Sequence, residues 1–91
     1  MISFTFNIKT GDYKLEGQVI DNELGYLRAA IARARVAVEK NPISEIKIRI
    51  SGQTMQFQPG GEKLENTSQH EVRAVFDRLI EKLKLEKLVP F

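Results

Sequence analysis

Twice along this chain the hydrophobic period switches from two residues to between three and four, and few small folds accommodate that. Ile2, Phe4, Phe6 and Ile8 alternate with Ser3, Thr5, Asn7 and Lys9, the spacing of a strand with one buried face. Thr10-Gly11-Asp12 follows as a turn cluster. Tyr13, Leu15 and Val19 then alternate with Lys14, Glu16 and Gln18. The two runs read as a β-hairpin, with Gly17 marking a bulge or a close approach of helix backbone. The period then lengthens. Leu24, Leu27, Ile31, Ala34 and Val38 step by three and four into one helical stripe, widened by Ala30 and Ala37. Asp21 or Asn22 is the expected N-cap, and Glu23 suits the positive end of the helix dipole. Asn41-Pro42 ends the helix, because the residue before proline is pushed out of the α region.

The second half repeats this order. Ile46, Ile48 and Ile50 alternate with Glu45, Lys47 and Arg49, Ser51-Gly52-Gln53 turns the chain, and Met55 and Phe57 continue the alternation. The segment from Pro59 to Asn66 reads as a loop. Ser68 with Glu71 forms a capping box. Val72, Val75, Phe76, Leu79, Ile80 and Leu83 make the cleanest helical face of the chain, which ends between Leu83 and Leu88, ahead of Pro90.

The chain thus reads ββα-ββα. The first and third strands are the apolar ones and belong at the centre, while edges are protected by charge, proline or irregularity. A right-handed crossover then sets the strand order 2-1-3-4, with every neighbouring pair antiparallel. The expected fold is an α+β two-layer sandwich with both helices on one face and a polar, wet opposite face. The 91 residues support one core. They form a single domain, 1–91, in which 1–41 and 43–88 read as a pseudo-repeat, with chance similarity as the other reading.

Function is constrained mainly by exclusion. With no cysteine and one histidine, the chain offers no thiol nucleophile, no disulfide framework and no zinc set needing two histidines. No apolar run is long enough for a membrane span, and the first residues alternate like a strand rather than a signal peptide. The expectation is a cytoplasmic, non-enzymatic domain without a cofactor. His70, with Arg73 and Asp77 at helical spacing, is the one candidate acid–base group, and no serine or cysteine partner is suggested for it. Pro59-Gly60-Gly61-Glu62-Lys63 lacks the Gly-Lys-Ser/Thr of a phosphate loop.

Two binding surfaces are suggested. Tyr26, Ala29 and Val36 fall near the outer side of the first helix, Leu85 and Leu88 fall off the face of the second, and Phe91 follows in the tail. These are the candidate contacts of a homo-oligomer or a protein partner. Arg28 and Arg35 lie seven residues apart on one edge of the first helix, with the short Ala32 between them leaving room for a ligand. Together with Arg33, Lys47 and Arg49 they are candidate contacts for an anion or a nucleic acid. The net charge of +2 is small, and the open sheet face carries no aromatic for base stacking, so nucleic-acid binding is expected to be weak. The preferred expectation is a small self-associating interaction module, and the alternative is an anion or nucleic-acid binder.

Overall fold

The computed structural model describes residues 1–17 and 21–86. The elements are β1 (Ile2–Asn7), β2 (Tyr13–Gly17), α1 (Asp21–Lys40), β3 (Ile43–Ser51), β4 (Thr54–Lys63) and α2 (Gln69–Leu85). The sheet order is β2-β1-β3-β4, and all neighbouring pairs are antiparallel. The α+β sandwich and strand order expected from the hydrophobic pattern are those observed.

The register explains why β1 and β3 are central. Phe4 lies opposite both Leu15 and Ile48, and Ile2 lies opposite both Gly17 and Ile50. Inward-facing residues therefore form continuous apolar rows across the sheet. Ile2, Phe4, Phe6, Ile46, Ile48 and Ile50 are buried in one core with Leu27, Ile31, Ala34 and Val38 of α1 and Val72, Phe76, Leu79 and Leu83 of α2. Both helices thus cover the same face. Phe76 meets Phe6 edge to face at 5.5 Å between ring centres, and Tyr13 stacks on Phe4 at 5.8 Å. Ala37, expected on the buried stripe of α1, is exposed. Phe57, on the inward parity of β4, is 38% exposed because it sits on an edge strand that α1 covers less fully than β3.

Ser68 caps α2 with extended backbone, its Oγ accepting from the Glu71 N–H at 3.2 Å. At the other end of α2 the Tyr13 hydroxyl donates to the Glu86 carboxylate, tying β2 to the helix terminus. Arg73 Nε donates to Glu39 Oε1 at 3.0 Å. That bond joins the C-terminal end of α1 to the N-terminal part of α2, and the two helices flank one groove along Arg28–Arg35 and Phe76–Lys84, so they run antiparallel.

The segment Pro59–Lys63 is a strand, not the expected loop. Proline removes a ladder donor, which argues against a strand only where that donor is needed. Ser51 pairs with Thr54 around a two-residue turn, and hydrogen-bonded and non-hydrogen-bonded pairs alternate from there. With the turn pair hydrogen-bonded, the Pro59–Ile46 pair is of the other kind, and the proline nitrogen faces the free edge. The strand then continues through a register shift between Ile43 and Glu45. Gly61 adopts φ 71°, and Ser44 Oγ accepts from the Glu62 N–H at 2.7 Å. A Cβ on Gly61 would land on Ser44 Oγ. Gly61→Ala therefore combines a strained backbone with loss of that bond and is expected to cost more than about 1 kcal/mol, read as a lower thermal midpoint. An unchanged midpoint would contradict the bulge.

Gly17 is likewise a close-approach site, but its neighbour is strand backbone, not helix. Its φ is 105°, and a Cβ there would strike the Met1 carbonyl oxygen. Val19, the Asp21/Asn22 capping side chains, Leu88 and Phe91 lie outside the described residues.

Candidate functional site

The helical layer contains a groove of about 500 Å³ between α1 and α2. Its α1 wall is built from Arg28, Ala32 and Arg35, which succeed one another at spacings of four and three, the stagger of one helix face. Asp77, Glu81 and Lys84 repeat that spacing on α2 and form the facing wall. Ile31, Phe76 and Ile80 supply an apolar floor. Ala32 has the role its size suggests, keeping the space between the two arginines open.

The charges in this groove are unequally satisfied. Lys84 Nζ stands 3.7 Å from Glu81 Oε1. Glu39, beyond Arg35, is engaged chiefly by Arg73. That hydrogen bond holds the Glu39 carboxyl below its ordinary range, with the charges of Arg73 and Arg35 adding to it against an opposing desolvation. Arg35 is left in second place, with Nε 3.8 Å from the same oxygen and no hydrogen-bond acceptor. Arg28 Nη1 is buried and has no acceptor among the described residues. A buried guanidinium N–H without an acceptor is costly, and a carboxylate or phosphate oxygen removes that cost with a charge-assisted bond.

The other basic candidates lie elsewhere. Arg33 is exposed away from the groove, on the outer side of α1. Lys47, opposite Thr5 and Gln58, and Arg49, opposite Ser3 and Gln56, stand on the open sheet face. The five residues Arg28, Arg33, Arg35, Lys47 and Arg49 therefore do not form one surface. The described residues of the open face include no aromatic.

The expected partner contacts among the described residues differ in exposure. Tyr26 is half-buried against the core rather than on the outer side of α1. Ala29 is exposed, Val36 is 46% exposed and Leu85 is 82% exposed. Because the helices are antiparallel, Val36 lies toward the Glu39–Arg73 end and Leu85 at the other end.

His70 is exposed at the start of α2, and Arg73 donates to Glu39. Among the described residues no group of three His, Cys, Asp or Glu side chains is placed to hold a metal ion, and no helix is long and apolar enough to cross a membrane. Periodicity on α1 located one wall of the groove. The α2 wall went unassigned, although the spacing of Asp77, Glu81 and Lys84 was its available signal. Glu23, placed by sequence at a helix start for its charge, is buried. No family model matches the chain, and no curated protein and no solved structure is significantly similar to it.

Proposed function

We propose that this is a non-catalytic binding domain whose inter-helix groove takes a ligand with an apolar body and one anionic head, a carboxylate or a phosphate. The observation that carries this reading is the buried Nη1 of Arg28, without an acceptor, on a residue that lines a groove with an apolar floor. Arg35 supports it as a second donor, and the groove volume lies within the ~300–1,000 Å³ range of small-ligand sites. Asp77 and Glu81 on the facing wall disfavour a ligand with several negative charges. Calorimetric titration with octanoate tests the reading, with octanol as the uncharged control. A charge-assisted hydrogen bond is worth ~1.5–3 kcal/mol, so Arg28→Met is expected to weaken octanoate binding roughly tenfold or more. Arg28→Lys is expected to restore part of it. Equal affinity for octanoate and octanol, or no change in Arg28→Met, rejects the reading.

A second reading, self-association or capture of a protein partner, rests on the exposure of Leu85. It predicts a solution mass above 10.4 kDa at micromolar concentration that falls to that value in Leu85→Glu. Light scattering that gives the monomer mass for the unsubstituted protein across a hundredfold dilution series removes this reading.

A further inference from the structure

A second cavity, of about 610 Å³, lies at the N-terminal half of α1, and Glu23 forms part of its wall. The Glu23 side chain is 5% exposed, yet neither carboxylate oxygen accepts a hydrogen bond. Its one ion-pair partner among the described residues is the Met1 nitrogen, 3.6 Å from Oε2, on a residue that is itself largely exposed. A carboxylate this buried and this poorly supplied with donors is expensive to maintain, and the residue that carries it lines the cavity. The cavity supplies no second acidic residue, so the oxygen cage that a hard metal cation requires is missing from its described wall. Tyr26 and Ala29 offer an aromatic and an apolar side instead.

We infer that this cavity binds a small organic ammonium ion, its nitrogen at the Glu23 carboxylate and its apolar body along Tyr26 and Ala29. An ammonium group that takes the place of the Met1 nitrogen, which stands at 3.6 Å without a hydrogen bond, brings three donors to the two oxygens, and an aromatic wall favours a cation. The ligand is opposite in charge to that of the inter-helix groove, and the two cavities share no lining residue. Either site stands or falls without the other.

The test is a titration of ¹⁵N-labelled protein with 2-phenylethylamine, followed by amide chemical shifts, with the neutral 2-phenylethanol and calcium chloride as comparison arms. The amine is expected to give saturable shifts at Gly25, Ala29, Gly52 and Gln53, and the alcohol none that saturate. Glu23→Gln is expected to weaken the amine at least tenfold. Ala29→Leu, at an exposed helix position, keeps the fold, fills the cavity without touching the carboxylate and is expected to weaken binding too. It decides the matter should Glu23→Gln fail to fold. Absence of saturation with the unsubstituted protein, equal affinity in either variant, or an equal response to calcium overturns the inference.

Discussion

Phe76→Ala is expected to lower the melting temperature by more than about ten degrees or to abolish soluble expression. The ring is 1% exposed, sits edge-on to Phe6 and is the point where α2 meets the central strand. Truncating a core phenylalanine costs ~3–5 kcal/mol, against a total of ~5–15 kcal/mol for a small domain. Each kcal/mol moves the midpoint by ~4–8 °C at this size. The same ring lines the floor of the groove, so a soluble Phe76→Ala also loses the ligand surface. Phe76→Leu, which keeps most of the volume, is expected to melt between the two. A melt unmoved by Phe76→Ala would mean that α2 does not pack through this residue.

Glu23→Met is expected to shift stability in the opposite direction. A buried carboxylate with one ammonium neighbour and no hydrogen bond recovers little of its desolvation cost. Replacing a buried ion pair with well-packed apolar side chains is commonly neutral or stabilising by ~1–4 kcal/mol, and the ammonium left behind here belongs to an exposed residue, so it is not stranded in the core. The expected result is a midpoint several degrees higher, together with loss of amine binding. That combination is the usual trade between a binding group and the stability of the fold that buries it. A lower midpoint would show that the carboxylate has structural partners supporting it.

The central strands were legible because a period of two admits one buried face. Ile2, Phe4 and Phe6 with Ile46, Ile48 and Ile50 could be assigned to a core before any packing was known. The end of β4 was not legible. Pro59 reads as a terminator unless the strand is known to be an edge, and its outward-facing nitrogen follows from counting pairs away from the Ser51–Thr54 turn. Arg28, Ala32 and Arg35 could be grouped from α1 alone. Their facing wall on α2 depends on an antiparallel helix contact, made by Arg73 and Glu39 thirty-four residues apart, that local periodicity does not encode. Glu23 illustrates the same limit. An acidic residue in a first turn has a sufficient local reason to be there, and its burial is a property of the fold, which brings Met1 and the Gly52–Gln53 turn to the same cavity. The scattering of the five basic residues over three surfaces is likewise a property of the folded layers rather than of any segment.

The most direct measurement is a chemical-shift map of the ¹⁵N-labelled protein titrated with octanoate, read at the backbone amides and the arginine side-chain Nε resonances. The account predicts saturable changes concentrated at Arg28, Ala32, Arg35, Phe76 and Ile80, with the Arg28 side chain among the most affected. Changes centred on Lys47 and Arg49 of the open sheet face, or no saturable change, would contradict it.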